Sequence, residues 1–220
     1  MPPLVIAIDG PSGAGKGTVA RALAARLRYR HVDTGAMYRA VAWLARHEGL
    51  DLEDEAGMAA RAERAAFAFG GVSLRIDGHD VTEAIRTPEI DRAATLVARL
   101  PAVRAALVHV QREMGAGGGI VMEGRDIGTV VFPHADVKIY LDASPEERAR
   151  RRAADPAHTG GKSGVAEVAS ALAARDRIDR TRTASPLTVA DDAIQIDTTG
   201  VTVDEVVARV MAVVARRLDA

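Results

Sequence analysis

Leu4-Val5-Ile6-Ala7-Ile8-Asp9-Gly10-Pro11-Ser12-Gly13-Ala14-Gly15-Lys16-Gly17-Thr18 decides how this chain folds. Leu4 to Ile8 is an unbroken apolar run with β-branched members, the pattern of a strand covered on both faces. Four glycines follow at 10, 13, 15 and 17, and then a helical stretch, Val19 to Leu27, with Leu23 and Leu27 on one face. Backbone N–H groups close around a phosphate only where side chains do not intrude, which explains the glycines. The helix N-terminus adds unpaired N–H groups and a favourable dipole, and Lys16 can reach the β/γ oxygens of a nucleoside triphosphate. Gly10, Pro11, Ser12, Gly13, Ala14, Gly15, Lys16, Gly17 and Thr18 are therefore the candidate ATP-binding loop. Gly17 follows the lysine where a hydroxyl is usual, so the metal hydroxyl of the usual motif is either missing or displaced one place on, to the candidate Thr18.

Outward from that loop, His31-Val32-Asp33 is a second short strand leading into a helix over 36–46, and a third helix spans about 54–66. From Phe67 to Val81 the texture changes: apolar residues alternate and Gly70-Gly71 and Asp77-Gly78 mark turns, so a small antiparallel sheet is expected. Pro88 and Pro101 suit the first turns of two more helices. Ile120 to Met122 and Val137 to Leu141 read as further buried strands. Ser144-Pro145-Glu146-Glu147 reads as N-cap, first-turn proline and capping-box glutamate. Residues 157–164 hold three glycines and a lysine, a loop or lid by composition. A helix over 165–180, a strand over 193–196 and a last helix boxed by Thr202 and Glu205 close the chain. The expectation is an α/β, P-loop NTP hydrolase-like three-layer fold with a five-stranded parallel sheet, an insert carrying the small antiparallel sheet at 67–81 (an inserted acceptor-binding domain by the family resemblance given below), and a lid.

The chain has 220 residues, enough for a substantial core without disulfides or a structural metal, and it has no cysteine. Twenty-nine basic residues against 30 acidic ones leave a formal charge of −1, which argues against a protein that coats nucleic acid. Met1 to Asp9 lacks a basic leader and a long apolar run, so a cytoplasmic protein without membrane or nucleic-acid partners is expected. No heptad or exposed strand compels association, and a monomer is expected.

A triphosphate loop alone does not name a reaction. A small-molecule kinase needs a second anionic pocket, a lid and arginines around the transferring phosphoryl group, whereas a hydrolysing switch needs a water-positioning group. Arg148, Arg150, Arg151 and Arg152 stand before the glycine-rich loop that contains Lys162; Arg175, Arg177, Arg180 and Arg182 stand after it. At helical spacing Arg148 and Arg152 share a face, as do Arg175 and Arg182. Two arginine clusters bracketing such a loop favour the kinase.

Ile8 through Thr18, Asp33-Thr34-Gly35-Ala36-Met37-Tyr38-Arg39 and Glu123-Gly124-Arg125-Asp126-Ile127-Gly128-Thr129-Val130-Val131-Phe132-Pro133 resemble bacterial cytidylate kinases. So do Lys138-Ile139-Tyr140-Leu141-Asp142-Ala143 and Arg175-Asp176-Arg177 with Asp179, Arg180 and Arg182. The resemblance runs from Leu4 to about Leu218, and the Gly-Arg-Asp segment is its most specific part. It implies reversible transfer of the ATP γ-phosphoryl group to CMP or dCMP with Mg²⁺ as cofactor. It also implies that Thr95, Arg104 and Asp126 read cytosine, that Arg39 and Arg125 hold the acceptor phosphate near Thr34 and Tyr38, and that Arg175, Asp179 and Arg182 contact sugar and phosphates. Lys16, Arg125, Arg175 and Arg182 are the candidate catalytic residues, and Arg148 and Arg152 candidate ATP contacts. No protein ligand for the metal is certain; Thr18 and Asp33 are the candidates. The implied division is a core over 1–33, 100–152 and 175–220, an acceptor region over 34–99 and a lid over 153–174. The family often carries Asp where this chain has Glu123, and Ser at Thr34 and Thr95.

The chemistry agrees independently. Cytosine presents an amino donor beside an N3 acceptor, so a carboxylate and an arginine complement it, whereas uracil would set a carbonyl against the carboxylate. The alternatives are a kinase for UMP, AMP or a non-nucleotide such as shikimate, and a non-catalytic ATP-binding switch.

Overall fold

A computed structural model describes residues 3–71, 73–155 and 164–219. The first strand, β1 (Val5–Asp9), is central: it pairs in parallel with β6 (Ile120–Gly124) on one side and β7 (Val137–Asp142) on the other. β2 (Arg30–Asp33) and β8 (Ile194–Asp197) form the edges, giving the all-parallel order β2-β6-β1-β7-β8. Alternate residues of each strand face opposite sides. Ala7, Ile120 and Met122 join one apolar cluster, while Ile6, Ile8 and Val121 join another. Ile6 and Ile8 are fully buried, each worth about 1.5–3 kcal/mol of apolar transfer.

The cluster around Ile6 and Ile8 is covered by α1 (Lys16–Leu27) and the last helix, α8 (Val203–Leu218), which opens on the expected box between Thr202 and Glu205. The opposite face is covered by α2 (Thr34–Glu48), α4 (Pro88–Val97) and α5 (Pro101–Gly115), with α3 (Glu55–Glu63) packed on α5. The antiparallel sheet lies within 67–81 as β3 (Phe67–Gly70), β4 (Ser73–Ile76) and β5 (His79–Asp80). Its Leu74 and Ile76 belong to the same cluster as Met122, so the insert shares its core with the parallel sheet.

Two local details differ from the sequence reading. α6 (Pro145–Ala153) is capped by the Ser144 hydroxyl, but Glu147 turns outward to Arg150 and Arg151 instead of closing a box. The helix α7 (Val165–Thr181) ends before Arg182, whose extended backbone takes it off the helical face expected for it with Arg175. Residues 156–163, including Lys162 and most of the glycine-rich loop, lie outside the described residues. Among the described residues no single helix is long and apolar enough to cross a membrane.

Candidate active site

β1, β2 and β6 all deliver their ends to one edge of the sheet, where Asp9 stands beside Gly124 and Asp33 beside Glu123. Ligands of open parallel sheets bind outside this edge. The glycine loop crosses it into α1. Gly10 has φ +146°, and a Cβ there would lie 2.0 Å from Leu141 O; Gly13 has φ +81° and packs against Arg148. These positions require glycine both for conformation and for space.

A cleft of about 270 Å³ opens beside the loop. Nine cationic side chains and five carboxylates line it among the described residues, so a chain of net charge −1 concentrates positive charge here. Ser12, Gly13, Gly15, Lys16, Gly17 and Thr18 form one wall. Lys16 is 6% exposed and its Nζ donates to Pro11 O at 2.8 Å. Burial, reinforced by the Arg125 charge, lowers its ammonium to about 7.

The opposite wall gathers residues remote in sequence. Thr34, Tyr38 and Arg39 come from α2, Arg104 from α5, and Arg125 and Asp126 from the segment after β6. Arg175, Asp179 and Arg182 come from α7 and the residue beyond it. Carboxylates pair with several of these cations: Asp33 with Arg39 at 3.0 Å, Asp179 with Arg125 at 2.9 Å, and Asp126 with Arg104. Asp126 also lies 3.9 Å from Arg182. Arg104 is only 3% exposed and its guanidinium sits 5.4 Å from the Tyr38 ring centre. Against the cost of burial, Arg125, Arg175 and Arg182 hold the Asp179 carboxyl below the usual carboxylate range.

Burial and the Arg125 charge lower the Arg175 guanidinium to about 10. The Arg39 Nε, Arg182 Nη2 and Tyr38 hydroxyl are buried without a hydrogen-bond partner among the described residues. Buried donors without acceptors are costly, and an anion placed among them relieves that cost.

Two expected contacts lie elsewhere. Arg148 is buried behind the loop: it donates to Ser12 O at 3.2 Å and Ala143 O at 3.1 Å and pairs with Asp176, so it braces the loop from beneath. Thr95 turns its hydroxyl back to Asp91 O at 2.9 Å, while Ala94 and Ala98 of the same helix line the cleft. Arg152 reaches the cleft but pairs there with Asp91 at 2.7 Å.

Four charged lining residues were absent from the sequence reading of the site: Arg21, Arg86, Glu123 and Asp155. Glu123 had a signal, since it opens the Gly-Arg-Asp segment. Its Oε1 lies 3.0 Å from His31 Nε2, and a Cβ built on Gly17 would lie 3.0 Å from the same oxygen, so Gly17 leaves room for this carboxylate.

A glycine loop at the carboxyl edge of a parallel sheet, facing a cleft of surplus guanidinium groups, defines a P-loop phosphotransferase. A profile of the cytidylate kinase family matches residues 6–216. The chain is 51% identical over 212 residues to a cytidylate kinase of Pelotomaculum thermopropionicum, covering 94% of both chains. It is 49% identical over 212 residues to one of Desulfitobacterium hafniense, covering 95% of this chain and 91% of that one. Among solved structures, an uncharacterized protein of Eubacterium ventriosum shares the fold at 9% identity, with a TM-score of 0.53 over 96% of this chain and 98% of that one. The chain belongs to the cytidylate kinase family.

Proposed function

We propose that this protein transfers the γ-phosphoryl group of ATP to CMP or dCMP, giving ADP and CDP or dCDP. The observation that carries the reading is the convergence of Arg39, Arg125, Arg175 and Arg182 opposite the glycine loop, with Arg175 desolvated beside Arg125. An acceptor monophosphate placed there gains forked donors from several elements. Arg104 and Asp126 form the base end: the carboxylate accepts from the cytosine amino group and the arginine donates to ring acceptors. Thr95 would join them by turning its hydroxyl away from Asp91.

The acceptor phosphate oxygen attacks Pγ directly. One P–O bond forms there, and the bond from Pγ to the β–γ bridging oxygen breaks as ADP leaves. An ionised phosphate is already nucleophilic, so no general base is needed. Lys16 and the converging arginines stabilise the charge that spreads over the transferring group.

The residues here fit a Mg²⁺ site. Among the described residues no group of three His, Cys, Asp or Glu side chains could hold a metal ion, but Thr18, Asp33 and Glu123 supply a hydroxyl and two carboxylates beside the loop. Mg²⁺ suits such a setting, because it takes one or two carboxylates and completes its shell with phosphates and water. These three residues would hold it, where it would neutralise charge on the β- and γ-phosphates.

The chain divides, on this reading, into a core (1–33, 100–152 and 175–220), an acceptor region (34–99) and a lid (153–174) that closes over the donor. ADP release measured with CMP, dCMP, UMP, AMP and shikimate tests the proposal. Turnover with CMP and dCMP well above the others is expected; equal turnover with UMP or AMP would overturn the base assignment.

A further inference from the structure

Asp9 ends β1 immediately before Gly10, and its side chain is 6% exposed. Its Oδ1 accepts from Ile127 N at 2.9 Å and its Oδ2 from Gly128 N at 2.7 Å. These amides open a single wide turn, Ile127–Val131, which directly follows Arg125 and Asp126. The first N–H groups of any helical turn lack partners within it. Asp126, the residue at the cap position, makes no side-chain cap bond, and its carboxylate goes to Arg104 instead. The capping acceptor is therefore supplied from another strand, more than a hundred residues away in sequence.

That choice has a geometric consequence. The phosphate loop starts one residue after Asp9, and the segment that presents Arg125 and Asp126 hangs from the Asp9 carboxylate. We propose that Asp9 is a positioning residue for acceptor recognition, holding Arg125 and Asp126 in register with the phosphate loop through the Ile127 and Gly128 amides. The inference rests on the proposed reading that Arg125 and Asp126 hold the acceptor.

Packing alone does not call for a carboxylate here. Ala7, on the same face of the strand as Asp9, and Ile6 and Ile8 on the other face are all apolar and fully buried. A carboxylate in this place is desolvated, which pushes its pKa up to about 6. Its two oxygens are matched to two donors, and an amide matches only one of them, since its NH₂ faces the other N–H. The contact is also tight: a Cβ built on Gly128 would lie 3.2 Å from Lys138 Cδ and 3.4 Å from Asp9 Oδ2. Misplacement of a reacting partner by about 1 Å is enough to cost on the order of a hundredfold in rate.

Calorimetric titration of CMP and of a non-hydrolysable ATP analogue into wild type, Asp9→Asn and Asp9→Ala tests this, together with kcat/KM for CMP and UMP. Loss of one buried hydrogen bond should weaken CMP binding about threefold to tenfold in Asp9→Asn, and more in Asp9→Ala, with the ATP analogue held within about twofold. The ratio of kcat/KM for CMP over UMP should fall in the same order, because Asp126 loses its register. A merely structural role would weaken both ligands together and leave that ratio unchanged, which would overturn the proposal. Arg125→Ala and Asp126→Asn are the controls. If they weaken CMP binding and the Asp9 variants do not, the positioning role fails while the acceptor site stands. If neither control moves CMP binding, the acceptor-site reading itself fails and takes this inference with it. If both Asp9 variants fail to fold wherever wild type binds CMP, Asp9 serves the fold and the proposal is overturned.

Discussion

The two walls of the cleft are built on different principles. The phosphate loop is nine consecutive residues that offer mainly backbone N–H groups and one ammonium, shaped by glycines that no side chain can replace. The acceptor wall is made of side chains from α2, α5, the segment after β6 and the end of α7, and its members neutralise one another through Asp33–Arg39, Asp126–Arg104 and Asp179–Arg125. A backbone site is contiguous because consecutive amides must converge. A side-chain site can draw on any element that reaches the carboxyl edge. The first tolerates little change in conformation; the second tolerates little change in charge, because removing one partner of a buried pair strands the other.

The largest effect is expected on the loop side. Lys16→Ala removes the one side-chain cation of the loop while leaving the glycines that set its shape. Turnover should fall by about a hundredfold to a thousandfold, the cost of deleting one preorganised donor to developing charge. Circular dichroism and the melting temperature check that the variant is folded. Near-normal turnover in a folded variant would remove Lys16 from catalysis and break the comparison at its first term.

Arg125→Ala comes next and strikes the other wall. It deletes a phosphate donor and leaves Asp179 without its 2.9 Å partner. A loss in kcat/KM of about tenfold to a hundredfold is expected, equal for CMP and UMP because a phosphate contact carries no information about the base. Steady-state kinetics with both acceptors measure it. A loss confined to CMP would place Arg125 at the base.

How much of this was legible in the sequence follows the same division. The loop, its strand and its helix could be read residue by residue, since their geometry depends on neighbours along the chain. The parallel sheet and the antiparallel insert were also readable, from apolar runs and turn pairs. The pairings across the acceptor wall were not. Arg148 and Arg152 look equivalent on a helix face, yet one braces Ser12 from beneath and the other meets Asp91 in the cleft, and only the docking of α6 decides which. Arg104, alone on a helix, reads as a surface charge until the segment after β6 places Asp126 against it. Asp9 carried no motif beyond its place before Gly10, because its partners are backbone amides of a distant turn.

Asp126→Asn sharpens the comparison at the base. The amide keeps the shape, still accepts from cytosine and adds a donor that suits the uracil C4 carbonyl. Each base contact of this kind is worth roughly 1–3 kcal/mol, so the CMP over UMP ratio of kcat/KM should shrink by about 5- to 150-fold. Arg125→Ala is the control, with both acceptors falling together. An unchanged ratio in a folded variant that still binds ATP would move the base elsewhere in the cleft.

The smallest effect is read without substrate, at the residue where the two walls meet. Burial pushes the Asp9 carboxyl from the ordinary carboxylate range up to about 6, against the opposing pull of the Gly128 and Ile127 amides. The folded protein then holds this proton over a range in which the unfolded chain has released it. Stability contributed by the neutral form is therefore present at low pH and lost as pH rises through about 6. An asparagine at the same position is neutral in both states and has no such dependence. Its loss of one hydrogen bond sets a constant offset, and only the slope is informative. Urea unfolding of wild type and Asp9→Asn between about pH 4.5 and 7.5 should show the difference shifting in favour of asparagine by on the order of 2 kcal/mol, with most of the change below pH 6. A difference that stays flat across that range would mean that folding does not raise the Asp9 pKa. The loop and the acceptor segment would then be joined by an ordinary carboxylate cap, whose two hydrogen bonds outweigh the cost of its burial.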